Sequence, residues 1–255
     1  MLLLLPPSET KRDGGPGPAL ALDALSHASL TSARRVVLDA LAELGADDAG
    51  AARALKLGAK AVEAELARNR AVASSPTMPA IERYTGVLYD ALGVQDWGAD
   101  ARARASRHLA VHSALFGLLA ADDLIPAYRL SHDTRLPGVR LRAHWAPANG
   151  AVLAGIAGPL VDLRSEGYAA LGPLPDRPDA VFVRVVAIGD DGVARALNHF
   201  NKKGKGEYVR DLLAAGPVPT TIDELCSVST ALGWPLRRSA DAELELVVPG
   251  TLPPR

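Results

Sequence analysis

The sequence predicts a single α+β domain in which a mixed, mostly buried sheet is flanked by helices. The chain has 255 residues, of which 48% are hydrophobic and 22% charged, enough for a hydrophobic core and ordinary for a folded domain. Residues 19–110 carry mainly helical periodicity, whereas residues 111–255 alternate strand-like and helix-like segments. The sequence has no internal repeat and no linker long enough to separate two cores, so we expect one domain over residues 1–255.

The first element is the apolar run from Leu2 to Leu5, which Pro6 and Pro7 end. A short continuous apolar run of this kind is typical of a strand buried on both faces. It lacks the basic flank and the cleavage site of a signal peptide. Other apolar runs are shorter than the roughly 20 residues that cross a bilayer, and the single Cys226 has no disulfide partner. We therefore expect a cytoplasmic protein without membrane contact.

Helical spacing of apolar residues predicts helices over residues 32–44, 51–69, 85–92 and 99–109. The second of these is interrupted at Gly58, with Arg53, Lys56 and Lys60 around it. The pattern is that of a helix-hairpin-helix element, whose turn presents backbone amides and nearby cations to a phosphate. A single helix that tolerates an internal glycine explains the same residues.

In the second half of the chain, β-branched or alternating segments predict strands over residues 111–117, 161–163, 181–188 and 244–248. Apolar periodicity predicts helices over residues 207–215 and 222–232.

The strongest local charge lies in residues 201–210, where one acid, Glu207, is outnumbered by Lys202, Lys203, Lys205 and Arg210. Gly204 and Gly206 would let the backbone approach a phosphate, and a helix beginning near Glu207 would direct its free amides there. The alternative is a solvated lysine turn. The segment matches neither a Walker loop nor a dinucleotide-binding motif.

A second polar segment, Ser8-Glu9-Thr10-Lys11, follows the first predicted strand. Ligands of open α/β sheets gather beyond the carboxyl ends of strands, which makes this position a candidate binding site. The alternative is that Ser8 caps a turn while Glu9 and Lys11 are exposed.

Other catalytic and metal motifs give little support. His108 and His112 would share a helix face if both were helical, but no acid lies between them as in metalloprotease motifs. The remaining histidines do not cluster, which leaves direct iron sequestration as a weaker option. The chain has no nucleophile-elbow motif. We therefore expect no metal and no cofactor, and no catalytic residue can be assigned.

Several blocks resemble the YaaA peroxide-stress family, in family order through nearly the whole chain. Residues 3–11 (LLLPPSETK) resemble the opening of the family. Later blocks that agree are residues 84–89, 113–119, 123–130, 163–168 and 202–206 with Arg210. Three positions depart from the family pattern: residues 120–122, Pro147, and Gly204-Lys205 in place of Ala-Arg. A lysine in place of an arginine forfeits bidentate phosphate pairing.

The resemblance implies a cytosolic α/β protein that is induced by hydroperoxide and limits damage linked to free iron. It also implies DNA binding through a basic cleft and a helix-hairpin-helix element, without an established catalytic activity. Because the net charge is only −1, attraction of DNA would have to come from a local patch. The residues expected to contact phosphates are Lys11, Lys56, Lys60, Arg129, Lys202, Lys203, Lys205 and Arg210.

An enzyme that acts on a nucleotide or another phosphorylated small molecule is the alternative. It would use the same cations as a clamp, with Glu9 or Asp123 as the acid-base group. The polar residues expected in the shared cleft are Ser8, Glu9, Asp123, Tyr128, Arg164, Ser165 and Tyr168. For either function we expect a monomer, with DNA or a small phosphorylated ligand as its partner.

Overall fold

A computed structural model of the chain describes residues 1–188, 194–196 and 200–248. The strands of this part are β1 (Leu2–Leu5), β2 (Met78–Pro79), β3 (Leu109–Ser113), β4 (Gly117–Ala120), β5 (Leu124–Ile125), β6 (Leu160–Asp162), β7 (Ala180–Ile188), β8 (Ala194–Ala196), β9 (Leu236–Ala240) and β10 (Glu243–Val247). The main sheet has the order β4-β3-β1-β6-β7-β10-β9, with β8 paired to β7, while β2 and β5 form a separate pair. The inner strands β3, β1, β6, β7 and β10 are parallel, and β4 and β9 run antiparallel to their neighbours.

The helices are α1 (Thr31–Leu44), α2 (Asp48–Ala54), α3 (Val62–Arg70), α4 (Ala80–Arg83), α5 (Val87–Leu92), α6 (Ala99–His108), α7 (Leu141–Ala154), α8 (Glu166–Ala169), α9 (Phe200–Ala215) and α10 (Ile222–Ala231). The predicted α+β class and mixed sheet are confirmed. In the described ranges, every helix is too short or too polar to cross a bilayer.

Strand β1 lies near the centre of the sheet, between β3 and β6. Leu3 is paired with Leu109 on one side and with Val161 on the other. Leu3, Leu4 and Leu5 are completely buried. The strand is thus buried on both faces, as its continuous apolar sequence predicts.

Residues 51–69 do not form one helix with an internal glycine. Helix α2 ends at Ala54 and α3 begins at Val62, so the chain turns before Gly58. The turn includes Lys56 in a left-handed conformation, with φ of 53°, whereas Gly58 has an ordinary φ of −70°. A phosphate-binding role for this turn stays a prediction.

The predicted glycine loop over residues 201–206 was wrong, because α9 already begins at Phe200 and makes the segment helical. The glycines serve helix packing instead of phosphate approach. A Cβ at Gly206 would lie 2.2 Å from the carbonyl oxygen of Leu88 in α5, and one at Gly204 would lie 2.6 Å from Val248 Cγ1. The bare backbone of Gly206 fits against α5, and that of Gly204 fits against Val248. These glycines therefore set the position of α9.

The histidine pair is also separated by the fold. His108 ends α6, whereas His112 lies in β3, so the two do not share a helix face. Helix α7 was not predicted at all, because Pro147 lies inside it and proline normally ends a helical pattern.

Candidate functional site

A cavity of about 510 Å³ lies beyond the carboxyl ends of β1 and β6. Because these strands are parallel neighbours, the segments that follow them reach the same edge of the sheet. The walls come from five segments: Pro6–Glu9 after β1, Val87–Tyr89 of α5, Ser131–His132, Ser165 with Tyr168 after β6, and Asn201, Lys202 and Lys205 of α9.

Lys205 is the most deeply buried cation of the cavity wall. Its side chain is 5% exposed, and its Nζ donates one long hydrogen bond, 3.4 Å, to the carbonyl oxygen of Arg164. Burial lowers the pKa of Lys205 to about 8, although the charge of Asp162 acts in the opposite direction. The Nζ atom also lies 5.9 Å from the centroid of the Phe182 ring. Among the described residues, this ammonium group therefore has only distant or weak partners.

Asn201 and Lys202 lie one turn before Lys205 on α9 and also line the cavity. The Oδ1 atom of Asn201 is buried and has no hydrogen-bond partner within the described residues. Lys202 is exposed. The α9 wall thus combines two cations with an unused amide acceptor.

The segment after β1 forms a second wall, which is held by hydroxyl and ionic contacts. Ser8 and Thr10 share a 3.2 Å hydrogen bond, and the Thr10 hydroxyl donates to the carbonyl oxygen of Thr85. Glu9 accepts a 2.7 Å hydrogen bond from Arg129. Arg129 therefore neutralises a wall residue but does not itself line the cavity.

Lys11 lies behind this wall, 8% exposed. Its Nζ donates to the carbonyl oxygens of Ser8, at 2.9 Å, and Glu9, at 3.3 Å, and lies 4.1 Å from the ring centroid of Tyr128. Burial and the nearby Arg129 charge lower the pKa of Lys11 to about 7. Lys11 thus organises the wall backbone from behind, instead of presenting its charge at a cleft surface.

Three polar residues expected in the cleft are buried elsewhere. Arg164 is completely buried and donates to Asp162 at 2.6 and 2.8 Å. Tyr128 is buried within 2.7–2.8 Å of the hydroxyls of Ser113 and Tyr84. Asp123, 7% exposed, accepts from the amides of Ser26 and Ala120, which makes it a turn-stabilising residue. The side chains of these three residues are used by the fold.

The remaining predicted cations lie outside the cavity or beside its rim. Lys56 forms an ion pair with Asp133, the neighbour of the wall residue His132. Lys60 is exposed, Lys203 pairs with Glu207 at 3.5 Å, and Arg210 pairs with Asp211 at 2.9 Å. Of the predicted cations, Lys202 and Lys205 thus line the cavity, whereas Arg129 and Lys56 are connected to it only through ion pairs with Glu9 and Asp133.

Sequence reasoning did not identify Asn201, Ser131, His132 or Tyr89 as site residues. Asn201 is the first residue of the basic segment 201–210. A helix start placed at Phe200 would have put Asn201 on the same helix face as Lys205. His132 carries no motif and is positioned by packing: its ring lies 5.0 Å from that of Tyr168 and leaves no space for a Cβ at Gly167.

The cavity offers cations, hydroxyls and protonated tyrosines. Burial raises the pKa of Tyr89 and Tyr168 well above the ordinary value, so both remain hydrogen-bond donors. In the described ranges, no three His, Cys, Asp or Glu residues are placed to hold a metal ion. The lysines, hydroxyls and protonated tyrosines of the cavity are all hydrogen-bond donors, and together they are suited to binding an anion.

Comparison with known proteins places the chain in a family. The family model described as peroxide stress protein YaaA matches residues 1–238. A UPF0246 protein of Corynebacterium efficiens is 41% identical over 238 residues, 91% of this chain and 93% of that protein. A UPF0246 protein of Streptomyces coelicolor is 40% identical over 246 residues, 95% of this chain and 94% of that protein. The chain therefore belongs to the YaaA peroxide stress protein family.

Proposed function

We propose that this protein acts in the response to peroxide stress by binding DNA phosphates through cations at the mouth of the cavity, in the cytoplasm. Bound in this way, it limits oxidative damage linked to free iron. The family description supports the peroxide-stress role, and the resemblance noted in the sequence motivates the DNA and iron steps.

The observation that supports the proposal is that cations from distant parts of the sequence line the cavity or pair with acids of its wall or next to it. Lys202 lines the cavity, Arg129 pairs with the wall residue Glu9, and Lys56 pairs with Asp133 beside the wall. Phosphate contacts of this kind position a duplex without reading its bases.

The same contacts predict weak and salt-sensitive binding. The acidic partners Glu9 and Asp133 are 59% and 43% exposed, and exposed ion pairs contribute only about 0–1 kcal/mol. A DNA phosphate can therefore displace them. With a net charge of −1, the molecule provides no long-range attraction, so affinity depends on counterion release.

The test is a fluorescence-anisotropy titration of duplex DNA over a series of salt concentrations. Replacing Lys56, Arg129 and Lys202 together by Gln should reduce the salt slope by about 2–3, since each phosphate contact contributes about 0.9. Arg238→Gln on the edge strand β9 is the control and should leave the slope unchanged. Absence of DNA binding by the wild type at low salt would refute the proposal.

The iron step has its own readout. Wild-type protein should protect supercoiled plasmid from nicking by Fe(II) and hydrogen peroxide, and the triple variant should protect it less. Equal protection by both proteins would show that protection from iron-dependent nicking does not depend on these three cations.

A second candidate function is favoured by the cavity itself: an enzyme or binding protein for a phosphorylated small molecule. A volume of about 510 Å³ falls within the range of small-ligand sites. Lys205, at 5% exposure, is too deep for a duplex phosphate to reach.

A further inference from the structure

We infer that the cavity binds a small aromatic monophosphate, of the size and shape of a nucleoside monophosphate, with its phosphate on Lys205 and its planar body against the segment after β1 and the start of α5. The inference goes beyond DNA binding and rests on the second candidate function. Three features of the cavity support it: the buried cation Lys205, the polar α9 wall, and an apolar patch of Pro6, Pro7 and Val87.

Lys205 is incompletely paired among the described residues. A buried charge is costly unless it is paired and hydrogen-bonded, yet the only hydrogen bond of Lys205 within the described chain is the 3.4 Å contact with the Arg164 carbonyl oxygen. The nearby Asp162 carboxylate is already bonded to Arg164 through both oxygens. Another contact of Lys205 is with the Phe182 ring, whose centroid lies 5.9 Å from Nζ. An anion in the cavity would supply the close, charged partner that the described residues do not provide.

The second feature is the geometry of the α9 wall. Asn201 and Lys205 are four residues apart, so they lie on the same face of the helix, and both line the cavity. Helix α9 begins at Phe200, so its first-turn amides and positive dipole end lie at the same wall. The buried Oδ1 of Asn201 is unpartnered among the described residues and can accept from a ligand hydroxyl or amine.

An apolar patch also borders the cavity that Lys205 and Asn201 line. Val87, at the start of α5, is 54% exposed although it is large and hydrophobic, and it lines the cavity together with Pro6 and Pro7. The hydroxyl of Tyr89 already donates to the Pro6 carbonyl oxygen at 2.8 Å, so Pro6, Pro7 and Val87 form a mainly apolar patch next to the polar Ser8 and Glu9. A ligand that fits both the α9 wall and this patch has one anionic end and one flat, apolar body.

The experiment is calorimetric titration of the full chain with AMP, adenosine, ribose 5-phosphate and inorganic phosphate. AMP should bind more tightly than each of the other three, since it alone engages both the α9 wall and the apolar patch. Lys205→Met should weaken AMP binding at least about 10-fold, the loss expected for a charge-assisted hydrogen bond. Lys203→Met is the matched control, because Lys203 lies on the same helix but is exposed and paired with Glu207; its affinity should stay within about 2-fold of wild type.

A second variant tests the apolar patch. Val87→Thr keeps the shape of the side chain and adds a hydroxyl, so it should weaken AMP binding while leaving inorganic phosphate unaffected. Because Val87 is more than half exposed, the variant should fold normally.

A proton-linkage measurement identifies Lys205 as the phosphate partner. The groups that act on Lys205 are Asp162 of β6 and Arg184 of β7, with Lys202 on its own helix and His132 and Tyr168 across the cavity. With a pKa of about 8, Lys205 is half protonated at pH 8, where the phosphate is already dianionic. AMP binding at pH 8 should therefore take up about half a proton in wild type and none in Lys205→Met, as measured in two buffers of different ionisation enthalpy.

Three outcomes would overturn the inference. Equal AMP affinity in wild type and Lys205→Met would remove the phosphate anchor. Equal affinity for AMP and ribose 5-phosphate would remove the planar body but leave the second candidate function standing. Absence of binding to all three phosphates would remove both, while the DNA titration described above would still stand or fall separately.

Discussion

Two buried cations on the same side of the sheet have opposite surroundings. Arg164 is completely buried and bonded to both oxygens of Asp162, to the Gly172 carbonyl oxygen and to His112. Lys205 is almost as deeply buried and donates one long hydrogen bond to a carbonyl oxygen. A buried cation that is paired with a carboxylate and bonded to further acceptors is part of the fold, whereas one with a single long hydrogen bond beside a cavity is available to a ligand.

The largest expected effect comes from breaking the complete pair. Asp162→Asn keeps the shape of the side chain but leaves Arg164 without its counter-charge. We expect a loss of about 3–5 kcal/mol in the free energy of unfolding, as for other buried pairs broken on one side. Urea denaturation measures it.

The control for this variant is Glu243→Gln, which breaks the partly exposed pair with Arg184. It should cost at most about 1 kcal/mol. If both variants lost the same free energy, complete pairing of Arg164 would not distinguish a structural cation.

The second effect concerns the packing that positions Lys205. Gly206→Ala would place a Cβ 2.2 Å from the Leu88 carbonyl oxygen, so α9 must move away from α5, at a cost of about 1–3 kcal/mol. Thermal unfolding should show a lower Tm, and AMP affinity should fall with it. Gly150→Ala, inside α7 and no closer than 3.8 Å to its neighbours, should instead stabilise the protein by about 0.5–1 kcal/mol. A Gly206→Ala protein as stable as wild type would contradict close packing of the two helices.

The third effect is a pH dependence that belongs to the incompletely paired lysine. The pKa of Lys205 is lowered from 10.5 to about 8 in the folded state, so between these pH values the unfolded chain binds more protons and stability rises with pH. Relative to Lys205→Met, wild type should gain up to about 2 kcal/mol between pH 7 and pH 10. Urea denaturation at several pH values tests this. Lys11→Met should remove a similar rise that begins near pH 7, where the pKa of Lys11 lies. Parallel profiles of wild type and Lys205→Met would mean that burial does not oppose protonation of Lys205.

The smallest effect is expected at the exposed end of the same helix. Lys203→Gln removes a 3.5 Å ion pair whose lysine is 59% exposed, so the free energy of unfolding should change by less than about 0.5 kcal/mol. A larger loss in urea denaturation would show that exposure does not separate structural from available cations in this molecule.

The sequence predicted the sheet class, β1 and most helices, because apolar runs and periodicity report burial directly. It also predicted that the segment after β1 and the basic segment meet near one site, as Ser8, Glu9, Lys202 and Lys205 do. The sequence could not show that Arg164 is fully paired and Lys205 is not. That difference depends on which side chains meet at the end of β6 in the folded protein. Gly204 and Gly206 were misinterpreted for the same reason, since glycine composition does not distinguish a loop from close helix packing.

The central place of β1 also imposes an order on synthesis and folding. Its partners lie about 105 residues away in β3 and about 160 away in β6, so a ribosome that emits Leu2–Leu5 must build more than half of the chain before both edges of that strand can be paired. Long-range parallel pairing of this kind slows folding and leaves apolar strand segments exposed until their partners are made. The nascent protein should therefore depend on chaperones most strongly while residues 6–160 are being translated.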